Sequence, residues 1–238
     1  MNQYDTSGED RFVAGTLQLL AWAQRNTRAL VLAVMAAAIV IFAVKYYLDY
    51  KTRVRQAAAT EMVNIRFQLQ SGTTDQAVEQ LRAYLIQFSG TEYAQQAQVL
   101  LAHTLLQANR AAEAIEPARQ AMGNLGDGIL SLRAAFLAAA AYEEVGDTAA
   151  AIGVYRQIER GTDLRVQRSR ALETIGELMA ASGDAAGAAS VYEELVEFAP
   201  ENSPARPFYE MRAAEQRARA AGALATQARG EGVLEEEG

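Results

Sequence analysis

The sequence predicts an all-α chain: a single N-terminal transmembrane helix, then an α-solenoid of about four helical hairpins, then a C-terminal capping helix. Three observations predict it. A unit of 37 residues is written four times over residues 58–205 without an insertion. Sixteen consecutive apolar residues run from Ala29 to Val44. A further helix-like stretch, Phe208 to Arg229, follows Pro204 and Pro207. Self-similarity at a fixed step of this size marks supersecondary units that bury their apolar faces on their neighbours.

Residues 1–28 form a short polar segment carrying Asp5, Glu9, Asp10, Arg11, Arg25 and Arg28. Residues 29–48 follow as the membrane helix, the apolar run being continued to twenty residues by Lys45, Tyr46, Tyr47 and Leu48. At 1.5 Å per residue, twenty residues span about 30 Å, the thickness of a bilayer core. Lys45 can snorkel toward headgroups, and Trp22, Tyr46 and Tyr47 suit the two interfaces. A buried soluble helix is the competing reading, and it would need other segments able to surround so uniform a surface. A cleaved leader fits less well than an anchor. The preceding segment is long and partly acidic, and no cysteine follows for lipid attachment. Lys45, Lys51, Arg53 and Arg55 outnumber Arg11, Arg25 and Arg28, so charge alone mildly favours a cytoplasmic repeat domain.

Residues 49–57 read as a juxtamembrane linker helix. Arg53 and Arg55 there suit either anionic lipid, at roughly 1 kcal/mol each, or plain solvation. From Asp49 onward 26 acidic residues face 18 basic ones, a net charge of −8. That balance argues against nucleic acid as a partner.

Within the repeats, Gly72, Asn109, Gly146 and Gly183 fall in one column. Five residues later come Ala77, Ala114, Ala151 and Ala188, and four beyond those Leu81, Ala118, Tyr155 and Tyr192. Each unit reads as a helical hairpin breaking at the Gly/Asn column, where the residue after a helix end takes a left-handed conformation. In the third unit Ala135, Ala138, Ala139 and Tyr142 lie at i, i+3, i+4 and i+7 and make one apolar stripe. Asp147 and Asp184 are the expected N-caps of second helices, whose inward faces carry Ala151, Tyr155 and Ile158, and Ala188, Tyr192 and Leu195.

The run Leu172, Ile175, Gly176, Met179, Gly183, Asp184, Ala188, Tyr192, Leu195 and Pro200 resembles a tetratricopeptide repeat. The third unit matches nearly as well. The second is weaker, with Leu101, Ala102, Leu105, Ala114, Ala118 and Ala121. The first is marginal, because Asn64 and Gln68 stand where apolar residues are expected. The step also exceeds the usual 34 residues.

No constellation points to chemistry: no catalytic, cofactor-binding or metal-ligating set is expected, and the chain reads as a non-enzyme. There is one histidine, His103, and no cysteine. The pairs Glu143/Glu144 and Glu193/Glu194 read as solvated faces. A stack of helical hairpins offers instead a concave surface lined by its first helices. Counting outward from the packed stripes, that surface presents Val99, His103, Leu106, Arg133, Phe136, Ala140, Arg170, Glu173 and Glu177. Val99, Leu106 and Phe136 would anchor an extended or helical protein segment, and Arg133 with Arg170 would hold an acidic group. Phe136 reads equally well as a packed residue. In the capping helix, residues 206–229, Phe208, Tyr209 and Met211 are expected over the last hairpin, with Arg212, Glu215, Arg217 and Arg219 toward water. Residues 230–238 are acidic and expected to be disordered.

The layout, with Asn26 and Arg28 before the apolar run, Lys45, Tyr46, Tyr47 and Tyr50 after it and repeats beyond, resembles the YfgM-type ancillary subunits of the bacterial SecYEG translocon. That resemblance implies a single-pass inner-membrane protein with a periplasmic repeat domain. It also implies as partners translocon subunits, a membrane-bound chaperone of the peptidyl-prolyl isomerase type, and translocating or client polypeptides. A scaffold for another envelope assembly, in secretion, pilus or cell-division machinery, would use the same fold and anchor.

Overall fold

The computed structural model describes residues 22, 24–69, 73–123, 125 and 128–236, with side chains as far as residue 223. Most of the polar segment 1–28, the Gly72 break and residues 237–238 lie outside the described residues. The helices are α1 (Thr27–Leu69), α2 (Thr74–Phe88), α3 (Tyr93–Gln107), α4 (Ala111–Met122), α5 (Ile129–Glu144), α6 (Thr148–Gly161), α7 (Arg165–Ala181), α8 (Ala185–Phe198) and α9 (Arg206–Glu236). The described residues contain no strand. The chain divides into two compact units, Met1–Ala57 and Ala58–Gly238.

The first unit holds the apolar part of α1. This helix contains an 18-residue window of mean hydropathy 2.4, none of it buried in the protein, and it is long and apolar enough to cross a membrane. Residues 29–48, 49–57 and 58–69, read from the sequence as successive segments, are one uninterrupted helix. No glycine or proline lies between Thr27 and Leu69 to end it sooner.

The second unit is a solenoid of sequential hairpins. Helix α3 pairs with α4, α5 with α6 and α7 with α8, each hairpin leaning on the next, while α2 packs on α3 and α9 closes against α8. The described breaks have the expected backbone: Asn109 has φ +58°, Gly146 +81° and Gly183 +88°. Each end is sealed by the same pair of hydrogen bonds. The Arg110, Asp147 and Asp184 amides each reach back five residues, to the carbonyls of Leu105, Tyr142 and Met179, at 2.9 Å. The Asn109 amide donates to Leu106 at 2.9 Å, Gly146 to Glu143 at 3.0 Å and Gly183 to Ala180 at 3.3 Å. Only a left-handed residue at the corner lets both bonds close, which is the reason for the column's composition.

The following column supplies the N-caps. The Asp147 carboxylate accepts from the Ala150 amide at 3.0 Å and that of Asp184 from Gly187 at 2.8 Å. Thr73 adds a cap not read from the sequence, a capping box with Gln76 at the start of α2. Arg110, in the same column, makes no side-chain cap.

The core follows the predicted stripes. Ala135, Ala138 and Ala139 of α5 are buried, as are Ala151, Tyr155 and Ile158 of α6 and Ala188, Tyr192 and Leu195 of α8. Tyr142 is half-buried. The marginal first unit packs through a different stripe: Ala58, Met62 and Ile65 are buried, while Asn64 and Gln68 point outward. A buried hydrogen bond of 2.9 Å from the Tyr84 hydroxyl to the Ala58 carbonyl ties that hairpin together. Val63 and Phe67 are exposed on α1. Thr104 and Ala141, one and two repeat steps from Phe67, are buried, because there a preceding hairpin covers the column.

The C-terminal helix keeps the repeat register. Tyr209, Ala213 and Gln216 lie 37 residues beyond Leu172, Gly176 and Met179, and all three are buried. Thus α9 is the first helix of a fifth unit. Ala220 stands where the break residue belongs, so the helix is not stopped and its backbone runs to Glu236, through the stretch expected to be disordered. A helix already formed adds residues at little cost, which composition alone underweights. Phe208 and Met211 are largely exposed, so of the three residues expected over the last hairpin only Tyr209 covers it. Arg212 is drawn in from the water-facing set: its guanidinium lies 5.3 Å from the Tyr192 ring centroid.

Candidate protein-binding surface

The helical period sets the surface. Ile129, Arg133, Phe136 and Ala140 lie at i, i+4, i+7 and i+11 on α5, and Val166, Arg170, Glu173 and Glu177 do the same on α7. Ile129 is 78% exposed and Val166 75%. Neither was singled out by the sequence reading. The signal that finds them is one further turn of the same stripe, four residues before each arginine.

Of the residues that were singled out, Arg133, Arg170 and Glu177 are exposed, and His103, Leu106, Phe136, Ala140 and Glu173 are half-buried. Val99 is only 4% exposed and belongs to the core. It shares a column with Met62, Phe136 and Glu173, and Met62 is buried too. This column borders the packed stripe. The aliphatic Met62 and Val99 turn inward there, whereas the Glu173 carboxylate stays half-buried, where a polar partner can reach it.

Phe136 is held on two sides. Its ring meets Tyr155 edge-on at 6.1 Å between centroids, and the Arg170 guanidinium lies 5.3 Å from its centroid. The Tyr155 hydroxyl donates to Glu143 Oε1 at 2.7 Å. Burial, then this bond to a carboxylate, raises the Tyr155 pKa well above that of free tyrosine. On the next hairpin the Tyr209 hydroxyl donates to Glu173, and burial followed by that bond pushes Tyr209 up to about 12. Arg133 and Arg170 form no ion pair among the described residues. The surface therefore presents two apolar ends, two guanidinium groups and a carboxylate at Glu177, over a layer fixed by tyrosine–glutamate bonds.

The expected solvated glutamates are mostly engaged. Glu143 accepts from Tyr155, Glu194 pairs with Arg156 at 3.0 Å and Glu193 with Arg217 at 2.6 Å, leaving Glu144 exposed. The Arg156–Glu194 pair joins the second helices α6 and α8, and the Glu193–Arg217 pair joins α8 to α9. At the other end Arg82 reaches Glu113 at 2.6 Å, and Arg110 bridges Asp75 at 3.0 Å and Glu113 at 2.7 Å. Hydrogen bonds from Arg110, then Arg82, hold the Glu113 carboxyl down at about 2. Among the described residues no group of three or more His, Asp or Glu side chains converges as a metal site requires.

Three solved structures are similar to this chain. A tetratricopeptide repeat protein from Parabacteroides merdae matches with TM-score 0.54 at 16% identity, over 68% of this chain and 61% of its own. This chain thus spans about three fifths of that protein's length. The nearly identical TPR-like repeats of a kinesin light chain candidate from Podosopora anserina match with TM-score 0.52 at 17% identity, over 73% and 91%. BtubC from P. vanneervenii matches with TM-score 0.50 at 16% identity, over 77% and 83%. At such identities the likeness concerns the fold alone. No curated protein matches the chain by sequence. The profile of the tetratricopeptide repeat-like domain matches residues 21–216, running through the apolar helix and every hairpin. The chain belongs to the tetratricopeptide repeat-like domain family.

Proposed function

We propose that the protein is a non-enzymatic, single-pass membrane protein whose repeats hold other proteins at a bacterial inner membrane, as an ancillary translocon subunit with its repeat domain in the periplasm. The observation that carries the binding role is the stripe Ile129, Arg133, Phe136 of α5 beside Val166 and Arg170 of α7. Exposed apolar side chains next to unpaired guanidinium groups suit a protein segment with apolar anchors and an acidic residue. The apolar stretch of α1 supports the anchor. The translocon, the isomerase-type chaperone and the client polypeptides come from the resemblance of the layout to the YfgM-type subunits. A scaffold in secretion, pilus or division machinery is the competing assignment.

Crosslinking in membranes tests the partner. Recovery of translocon subunits is the expected result, and recovery of another envelope machine in their place overturns the assignment. The combined variant Ile129→Ser, Val166→Ser and Arg133→Ala should lower that recovery at least tenfold with an unchanged melting temperature, since these side chains lie outside the core. Phe136→Ala is a poorer probe, because Tyr155 and Arg170 pack on its ring. Topology is tested by protease on spheroplasts. The periplasmic arrangement leaves a protected N-terminal fragment of roughly fifty residues, and protection of the whole domain reverses it.

A further inference from the structure

Lys45, Tyr46, Tyr47, Tyr50, Lys51 and Arg53 are all exposed on α1. The helix is unbroken here, so the eight steps from Lys45 to Arg53 rise about 12 Å, comparable to a headgroup layer. At about 100° per residue, Lys45 and Arg53 flank one side of the helix and Lys51 lies on another, with the three tyrosines between them. Asp49 is the one acidic residue from 11 to 60. It stands four residues from both Lys45 and Arg53, a spacing that permits pairing, yet none of these cations forms an ion pair among the described residues. Three unpaired cations interleaved with aromatic rings, at the end of an apolar span, match a layer in which ring edges and ammonium groups meet phosphate.

The geometry points to a collar, residues 45–53, that binds anionic phospholipid headgroups in preference to zwitterionic ones. It rests on the reading that residues 29–48 cross the membrane. The source of the phosphate is lipid, because the tyrosines and the apolar span fix the cations at headgroup height, a placement free phosphate does not share. A zwitterionic headgroup presents its own ammonium to the lysines, whereas phosphatidylglycerol presents net negative charge.

Electron spin resonance of the full chain in vesicles of equimolar phosphatidylcholine and phosphatidylglycerol, with either lipid spin-labelled, measures the relative association of each with the protein. Wild type should favour phosphatidylglycerol about fivefold. The preference should fall toward one in Lys51→Gln with Arg53→Gln, and at high salt. Equal association of the two lipids with wild type overturns the collar. An unchanged preference in the double variant overturns it as well. A chain that immobilises neither lipid and stays outside the vesicles overturns the membrane reading itself, and the collar with it.

Discussion

Gln216 is the residue most at odds with its surroundings. It is 0% exposed, and neither end of its amide has a hydrogen-bond partner among the described residues. Met179 and Leu105 fill the same column one and three steps back along the repeat, and Gln68, the other glutamine of the column, is exposed, so a buried site here suits an apolar side chain. Gln216→Met should raise stability by about 1–2 kcal/mol, because it removes the desolvation of an unpaired amide at similar volume. A urea midpoint at or below wild type would show that the amide is satisfied by water. Gly183 gives the opposite case. At φ +88° a β-branched side chain is strained, and Gly183→Val should cost at least about 1 kcal/mol. Gly153→Ala is the contrasting control, since nothing lies within 4 Å of the added methyl on α6, and it should be neutral or stabilising. Gly187 is less suitable. A methyl there would meet the Asp184 carboxylate that caps α8, which would have to swing into the arrangement Asp147 makes over Ala150.

At the scale of elements, helix ends were legible and helix faces only partly so. The Gly/Asn column states a backbone demand local to two or three residues, so it reads directly from sequence. Whether Val99 or Phe136 reaches the surface depends on what the neighbouring hairpin lays over that column, which no local pattern contains. Ile129 and Val166 were missed because each lies in the first turn of its helix, where a stripe has no earlier turn to announce it. The links between second helices were invisible for a similar reason: Arg82 and Glu113 are 31 residues apart, and the hairpin step brings them together. Glu113 makes that link testable by pH. Its carboxyl is near 2 in the fold and near 4.5 when free, so the unfolded chain binds the extra proton between those values. The contribution of the pair is therefore present above about pH 4.5 and lost as pH falls toward 2. Glu113→Gln should flatten the melting temperature over that window in low salt. An acid limb identical to wild type would show the pair is too solvent-screened to matter.

For the whole molecule, the all-helical hairpin architecture and the N-terminal apolar helix were legible, since they follow from the repeat step and the hydropathy change. The extent of α9 was not legible, because its first half obeys the repeat and its second half departs from it. A chain ending at Ala205 tests what α9 contributes. It would uncover parts of Tyr192 and Leu195, now buried, and should lose on the order of 3 kcal/mol against urea. Retention of full stability would mean that α8 closes the solenoid without help.

The constancy of the step also has an evolutionary reading. A tandem duplication of any 37 consecutive codons inside the repeats returns the chain to the same phase of its hairpin, so the inserted copy meets neighbours of a kind the fold already contains. Genes for such a protein can lengthen or shorten by whole units in a single recombination event, and each gain adds another row to the face that meets a partner. A copied length of 34 residues would instead leave one unit three residues short, turning the apolar stripe beyond the junction by about 60° away from its neighbour.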